Sequence, residues 1–357
     1  MLSWRKMVTT EDFATTASTN TPDYSDYYSY DYEDELCNKT NVIQFGANLT
    51  PVIFTIVVIL SLFGNILVIV ILARYENLKS LTNAFIFNLA VSDLFFTTGL
   101  PFWAYYDMYG WTLGDLMCKL VNFIFCVGFY SSGILLILMT AHRYAAVMYP
   151  LSGVVSITGC YSVLTCVAVW VVSLLVASPA FIFAEVQNPN LCVYVDSYWS
   201  LWGIYQQNIL FIVSSCVFVT CYSRIICRLL RPTAQRRKNK TLKLIFMLMA
   251  VFFVGWAPYN VVIFLQSMRF WAKPPADSKT VAANCGSSEQ LDYAFYISRL
   301  VAFMHCCLNP VFYVFVGVKF RSHLKKMLKG YSDSSSRRSR QSRHTITSIT
   351  SGEEFSM

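Results

Sequence analysis

The chain has 357 residues, of which 55% are hydrophobic, 16% aromatic and only 13% charged, and its formal net charge is +8. A soluble globular domain usually carries about 25% charged residues, so this composition excludes a protein that faces water on all sides. The basic residues stand beside long apolar runs and near the C-terminus, so membrane orientation explains the positive charge better than nucleic-acid binding.

Residues 1–50 are predicted to form an extracellular acidic tail. They contain no short apolar segment followed by small residues, so no signal peptide is expected there. Acidic side chains alternate with tyrosines in a stretch that we call the acidic tyrosine run. Its members are Asp26, Tyr27, Tyr28, Tyr30, Asp31 and Tyr32. The sequons at Asn38 and Asn48 can be glycosylated only if this end meets the secretory lumen.

Seven apolar runs follow, each long enough for a helix to cross the hydrocarbon core of a membrane, which takes about 20 residues. Their predicted bounds are 52–73, 82–106, 116–148, 160–184, 200–229, 241–268 and 290–315. The sequence therefore predicts an all-α membrane protein, with a bundle of seven transmembrane helices within residues 51–318.

Basic side chains set the predicted orientation of the bundle. They cluster after the fifth run and after the seventh. The members are Arg231, Arg236, Arg237, Lys238, Lys240, Lys319, Arg321, Lys325, Lys326 and Lys329. Basic residues favour the cytoplasmic side, and seven spans place the termini on opposite sides. The N-terminus is therefore predicted to be extracellular and the C-terminus cytoplasmic, in a plasma-membrane protein.

Two further segments are predicted after the bundle. Residues 319–330 place Phe320, Leu324 and Met327 on one helical face, with basic residues around the others. This pattern predicts a short amphipathic helix on the inner membrane surface. Residues 331–357 are rich in Ser, Thr and Arg and too poor in apolar residues to fold alone, so a disordered cytoplasmic tail is predicted.

Four of the twelve cysteines map to the outer side of the predicted bundle, namely Cys37, Cys118, Cys192 and Cys285. Disulfides are expected among them, and four cysteines can pair in three ways. The other cysteines lie within the runs or at their inner ends, toward the reducing cytosol. They are expected to be free thiols.

Asp93 in the second run is an ionisable group at membrane depth, where it needs a partner or a function. Asn65 and Asn309 are predicted to lie at a similar depth. One hypothesis is that these groups only hydrogen-bond between helices. The other is a polar cluster that holds a sodium ion, with Asp93, Ser132 and Asn309 as ligands. The residues by themselves leave both hypotheses open.

Two arginines near the ends of runs receive different interpretations. Arg143, at the inner end of the third run, is most simply a topology anchor. Arg299 precedes Asn309 by ten residues, about 15 Å toward the outer face, and is expected to point into an outward-opening cavity. Trp103 and Tyr106 either belong to an interfacial aromatic belt or line that cavity. Such a cavity suits an extended peptide with carboxylate or carbonyl groups.

The chain resembles rhodopsin-like G-protein-coupled receptors from about residue 50 to residue 330. The matching residues are Gly64, Asn65, Val68, Leu89, Ala90, Asp93, Arg143, Trp170, the run Trp256-Ala257-Pro258 and the run Asn309-Pro310-Val311-Phe312-Tyr313. Each match by itself is weak, whereas the ordered set is specific. Pro258 and Pro310 also predict kinks in the sixth and seventh helices.

The outer side resembles that of chemokine receptors. The features are the acidic tyrosine run, the extra Cys37 and Cys285, Trp103, and Trp111-Thr112-Leu113-Gly114-Asp115. Other features resemble the XC type within that family, which implies a C-type (lymphotactin-like) chemokine as ligand. They are His142, Ser214, Arg299 and the run His305-Cys306-Cys307.

The resemblance implies disulfides between Cys118 and Cys192 and between Cys37 and Cys285. It implies that the acidic tyrosine run, with sulfated tyrosines, captures the ligand before its flexible terminus enters a pocket. The implied pocket residues are Trp103, Tyr106, Phe125, Tyr205, Gln266, Glu289 and Arg299. The residues implied in activation of a heterotrimeric G protein are His142, Arg143, Tyr144, Tyr222, Trp256, Pro258, Asn309, Pro310 and Tyr313.

Further implied partners are receptor kinases and arrestin at the C-terminal tail and membrane lipid, with cell migration as the outcome of signalling. No nucleic acid is expected, and no cofactor other than the sodium ion. His142 stands where the family usually has an acid beside the arginine, so the alternative is an atypical receptor that internalises ligand without signalling. The sequence contains no nucleophile with an adjacent base and no inverted repeats, which argues against an enzyme and a transporter.

Overall fold

The computed structural model of the protein describes residues 37, 39–149, 160–187, 190–229, 239–270, 278–316 and 320–327. The acidic tyrosine run, Asn38, most of the basic segment after the fifth span and the C-terminal tail 331–357 lie outside the described residues. The predictions made for those segments are therefore not addressed by the structure.

The described chain is almost entirely helical. The helices are α1 (Thr40–Tyr75), α2 (Leu81–Tyr109), α3 (Asp115–Met148), α4 (Cys160–Ile182), α5 (Ser197–Leu229), α6 (Asn239–Phe270), α7 (Ser278–Phe303) and α8 (His305–Val316). An antiparallel hairpin of β1 (Ala184–Gln187) and β2 (Leu191–Tyr194) connects α4 to α5. A further helix, α9, covers residues 320–327.

Seven stretches of the described helices are long and apolar enough to cross a membrane, which confirms the predicted fold class. The seventh combines α7 and α8, which are separated by a turn at Met304. The bundle has apolar side chains on its outer surface, such as Phe63 at 73% exposure, whereas Asp93 inside is fully buried. This distribution fits a lipid solvent, in which helices satisfy their own backbone hydrogen bonds.

Two helices begin earlier than predicted. α1 begins at Thr40 rather than at residue 52, so residues 40–50, assigned to the tail, are helical instead. α7 begins at Ser278 rather than at residue 290. Tertiary contacts support both extensions: Gly46 of α1 packs directly beneath the ring of Tyr296, and Ser287 of α7 accepts a hydrogen bond of 3.0 Å from Arg269 Nη2. Hydropathy predicts only the part of a helix that lipid surrounds, so it placed both starts too late.

Gly128 allows α2 and α3 to approach each other closely at the middle of the bundle. A Cβ atom at this position would lie 2.8 Å from the Ser92 carbonyl oxygen and 2.9 Å from the Phe96 Cα. Real Cβ atoms do not approach backbone atoms so closely, and small residues at helix contacts are typical of membrane proteins. The close approach brings Ser132 on α3 next to Asp93 on α2.

The amphipathic helix predicted after the seventh span is present as α9. Phe320 is buried, and Leu324 and Met327 pack against the core of the bundle. The ring of His323 stacks on Tyr75 with the centroids 5.3 Å apart. α9 therefore lies against the inner end of α1, the position expected for a helix on the inner membrane surface.

Candidate functional site

Both disulfides implied by the resemblance are present, Cys37 with Cys285 and Cys118 with Cys192. The second joins the outer end of α3 to β2 and so holds the hairpin over the end of the bundle. The first joins the segment before α1 to α7. The remaining cysteines whose side chains the structure describes are free thiols, as predicted.

A cluster of aromatic rings from α2, α3 and the intervening loop fills the outer end of the bundle. The ring centroid of Trp103 is 6.1 Å from that of Tyr106, 6.1 Å from that of Trp111 and 6.0 Å from that of Phe125. All four side chains are buried. They therefore belong to the bundle interior rather than to an interfacial belt.

A small cavity lies beside this cluster, between α3, α5 and the hairpin. Its lining consists of Asn122, Phe125, Cys126, Phe129, Tyr130, Tyr194, Gly203 and Gln207. The Tyr130 hydroxyl donates a hydrogen bond of 3.0 Å to Gln206 Oε1 at its edge. None of these side chains carries a formal charge at neutral pH, so the cavity offers aromatic surface and neutral hydrogen-bonding groups.

Arg299 does not point into an open cavity, and that expectation is wrong. The residue is 6% exposed, and its Nη2 donates hydrogen bonds to Asp107 Oδ2 and to Thr50 Oγ1, the latter at 3.2 Å. The guanidinium carbon lies 5.6, 5.4 and 5.0 Å from the ring centroids of Phe54, Phe295 and Tyr296. A buried cation requires a counter-charge, and the residues of α1, α2 and α7 enclose this pair completely.

Sequence reasoning missed Asp107 and a second acid, Asp292. Asp292 Oδ2 lies 3.2 Å from Lys39 Nζ, and its Oδ1 accepts a hydrogen bond of 3.4 Å from Gln266 Nε2. Asp107 stands at the outer end of its span, where an acid commonly reaches water. Its only sequence signal is that Arg299, at a similar height on another helix, needs a partner.

The remaining pocket residues occupy different environments. Gln266 is buried, whereas Tyr205 on α5 and Glu289 on α7 are half-buried. Of the pocket residues predicted from the resemblance, Phe125 lines the cavity described above. Asn48 is exposed on α1, and Thr50 of the same sequon is buried beside Arg299.

Asp93 lies at the centre of a polar cluster in the middle of the bundle. Ser132 Oγ donates to Asp93 Oδ1 at 3.3 Å, and Asn309 Nδ2 donates to Asp93 Oδ2 at 2.8 Å. The His305 Nε2 atom lies 4.0 Å from Asp93 Oδ1. Asn65 Nδ2 donates to the Cys306 carbonyl at 2.9 Å. The predicted hydrogen bonds between helices therefore exist, and they join α1, α2, α3 and α8.

Trp256 connects this cluster to the outer cavity. Its ring is buried, with its centroid 4.8 Å from that of Phe129 and 5.1 Å from that of His305. Pro258 lies two residues further along α6, and Pro310 lies within α8. A proline removes one backbone hydrogen bond, so each helix has a point at which it can bend.

Arg143, at the inner end of α3, has a neutral hydrogen-bond partner. Its Nη2 atom donates a hydrogen bond of 3.0 Å to Thr82 Oγ1 on α2, and its buried Nε has no hydrogen-bond partner among the described residues. Arg224 Nη1 donates a hydrogen bond of 3.5 Å to the Tyr144 hydroxyl. The Tyr222 hydroxyl is buried without a described partner. The side chain of Tyr313 lies outside the described part of the chain.

This arrangement defines a membrane receptor, in which a polar and aromatic core connects an outer cavity to an inner surface. The family pattern described as 7 transmembrane receptor (rhodopsin family) matches residues 64–313. The chain is 41% identical to chemokine XC receptor 1 of Homo sapiens over 314 residues, which are 88% of this chain and 91% of that protein. It is 42% identical to chemokine XC receptor 1 of Mus musculus over 303 residues, 84% of this chain and 89% of that protein.

The chain therefore belongs to the rhodopsin family of seven-transmembrane, G-protein-coupled receptors, within its chemokine receptor branch. This family consists of multi-pass receptors of the plasma membrane and not of enzymes. The class agrees with the resemblance seen in the ordered motifs of the seven runs.

Proposed function

We propose that this protein is a cell-surface receptor for a C-type, lymphotactin-like chemokine, and that ligand binding activates a heterotrimeric G protein and directs cell migration. The observation that carries the proposal is the pair of outer disulfides on a chain similar to chemokine XC receptor 1. They fix the root of the acidic tail to α7 and the hairpin to α3, which suits a protein ligand that meets the tail first and the cavity second.

In this proposal the N-terminus is extracellular and the C-terminus cytoplasmic. The acidic tyrosine run attracts the basic chemokine over a Debye length of about 8 Å at physiological salt, more strongly if its tyrosines are sulfated. Asn38 and Asn48 carry glycans. Receptor kinases and arrestin act at the Ser- and Thr-rich tail, and α9 contacts inner-leaflet lipid.

Neutralising the acidic tyrosine run, with Asn for its acids and Phe for its tyrosines, is expected to slow ligand association about tenfold and to flatten its salt dependence. The reason is that electrostatic attraction raises the encounter rate more than it lengthens the bound state. Surface plasmon resonance on receptor held in lipid discs measures both rates. Asp196→Asn, which removes an exposed acid outside the tail, is the control; equal association rates in both variants contradict electrostatic capture.

After capture, the flexible terminus of the ligand enters the outer cavity beside Trp103, Tyr106, Phe125 and Tyr205, with Gln266, Glu289 and Arg299 around it. A ligand shifts the receptor only as far as it binds one packing of the helices better than another. We propose that α6 moves, because Pro258 gives it a bend and Trp256 contacts both the cavity and the polar cluster. Tyr222 and Tyr313 then move beside Arg143, and the inner face, with His142 and Tyr144, admits the G protein.

The polar cluster is also proposed to hold a sodium ion. Asp93 and Ser132 supply hard oxygen atoms, which sodium prefers, and Asn309 can present its amide oxygen if its side chain turns over. The ion would neutralise Asp93 and favour the packing seen here.

Replacing sodium chloride by choline chloride at constant ionic strength is expected to raise agonist affinity about fivefold, because the ion stabilises the packing that the agonist binds less well. Radioligand competition on membranes measures this affinity. Asp93→Asn is expected to abolish the difference, and Ser215→Ala, on α5 away from the cluster, to preserve it. A sodium effect that persists in Asp93→Asn contradicts the site.

The function is tested by G-protein activation in cells that express the chain and receive a panel of C, CC and CXC chemokines, with ligand uptake measured in parallel. We expect a C-type chemokine to activate the G protein at concentrations at which the others are inactive. Uptake of ligand without activation contradicts signalling and establishes the scavenging alternative. Activation by a CC or CXC chemokine alone contradicts the C-type ligand.

A further inference from the structure

Arg299 and Asp107 form an ion pair between α7 and α2 at the outer end of the bundle. Both residues are buried, with 6% and 4% of their surface exposed. Thr50 on α1 accepts a second hydrogen bond from the same guanidinium nitrogen. Three helices therefore meet at one buried cation.

The surroundings of Arg299 make an exchange of partners costly. Its Nε atom is buried without a hydrogen-bond partner among the described residues, so the guanidinium already lacks one bond. If the amino-terminal ammonium of a ligand took Asp107, Arg299 would keep only Thr50 and the faces of three rings. Removal of the counter-charge from a buried ion typically costs a factor of 100 or more in an equilibrium constant.

The described part of α7 offers Arg299 no second acid in place of Asp107, since Glu289 lies ten residues away, about 15 Å along the helix. Asp292, the nearest acid along that helix, already contacts Lys39 and Gln266. In each of these outer ion pairs, the acid is therefore neutralised by its own basic partner.

The lining of the cavity also favours recognition by neutral groups. Its lining comprises amides, phenols, aromatic rings, a thiol and a glycine, and no formally charged group. Trp103 and Tyr106, which belong to the same outer part of α2 as Asp107, pack on Phe125 of the lining or on each other. The pair can therefore affect the ligand by positioning these rings without touching it.

We propose that Arg299 and Asp107 remain paired when ligand binds, as positioning residues that hold α2 against α7. The ligand segment that reaches the cavity is then recognised by the neutral groups of its lining, and its terminal ammonium gains no potency from Asp107. This inference rests on the proposed chemokine function, and it assigns the selectivity of this cavity to shape and neutral hydrogen bonds rather than to Asp107 as a counter-ion.

The test uses full-length receptor in cells with four variants: Arg299→Lys, Arg299→Met, Asp107→Leu and the double variant with Met and Leu. The first measurement is surface density, detected by an antibody against an N-terminal tag, and it needs no ligand. We expect each neutral single variant to lose about tenfold in surface density, because each leaves one buried charge unpaired. Arg299→Lys and the double variant are expected to stay within about threefold of the wild type, since the first keeps the charge and the second removes both charges.

The second measurement is the potency of lymphotactin and of lymphotactin acetylated at its amino terminus, read as G-protein activation. We expect acetylation to change the potency by the same factor, within about threefold, on the wild type and on the double variant. Contact between the ammonium and Asp107 would make this factor larger on the wild type, so the comparison of the two receptors distinguishes the proposal. A loss of more than tenfold on acetylation, seen on the wild type and absent from the double variant, shows that the ammonium binds Asp107 and overturns the inference.

A second contradictory outcome is a double variant with normal surface density together with more than a tenfold loss of lymphotactin potency. That result shows that Arg299 contacts the ligand, and it also overturns the inference. If unmodified lymphotactin fails to activate the wild type, the C-type ligand proposed above is what fails. The surface-density arm still decides whether the pair acts as a unit: a double variant as poorly displayed as the single ones contradicts the pairing.

Discussion

Thr82→Ala is expected to raise ligand-independent G-protein activation about tenfold at matched surface density. Among the described residues, Arg143 is held by one hydrogen bond of 3.0 Å to the Thr82 hydroxyl, and its Nε has no partner there. A hydrogen bond between a charged and a neutral group contributes about 1.5–3 kcal/mol, or a factor of ten or more in the balance between packings. Without it, the arginine is released toward the G-protein site.

His142→Asp is expected to have the opposite effect. It places a carboxylate beside Arg143, where the chain has an imidazole, and a second anchor should lower basal activation below that of the wild type and weaken the gain from Thr82→Ala. The measurement for both is nucleotide exchange in membranes without ligand. Thr82→Ser keeps the hydroxyl and is the matched control, expected to behave as the wild type. Equal basal activity in Thr82→Ala and Thr82→Ser refutes the role of this hydrogen bond.

Gly128→Ala is expected to destabilise the receptor by about 3 kcal/mol, the upper part of the range for inserting one methyl group into a packed interior. The added methyl group would approach the Ser92 carbonyl oxygen to 2.8 Å and the Phe96 Cα to 2.9 Å. These are backbone atoms, which cannot turn aside as a flexible side chain can. The clash would push α3 away from α2 at the height where Ser132 contacts Asp93, so sodium sensitivity is expected to fall as well.

Thermal unfolding of detergent-solubilised receptor, followed by a thiol-reactive dye, measures the loss. Gly255→Ala is the matched control, because a methyl group there would find only the Val301 carbonyl oxygen at 3.7 Å, an ordinary contact. It removes the same helical glycine penalty of about 1 kcal/mol and should be neutral or stabilising. If both variants unfold at the same temperature, the α2 and α3 contact is more compliant than the structure shows.

The seven spans could be predicted from the sequence, because lipid requires long apolar helices and the composition reflects that requirement directly. It also drew attention to Asp93, since a carboxylate at membrane depth stands out in any apolar run. The outer cysteines were evident from topology, but their pairing came from resemblance to a family, and the structure confirms it.

Which side chains contact one another became evident from the packing of the helices. Arg299 signalled a need for a partner, yet Asp107 on another helix could not be distinguished from an ordinary residue at the membrane interface until the helices were placed side by side. The same holds for Thr82 beside Arg143 and for the start of α1 at Thr40, where contacts outside the lipid layer extend the helix. A hydropathy pattern describes one helix at a time. These contacts depend on how two helices are rotated about their axes and on their relative heights in the membrane.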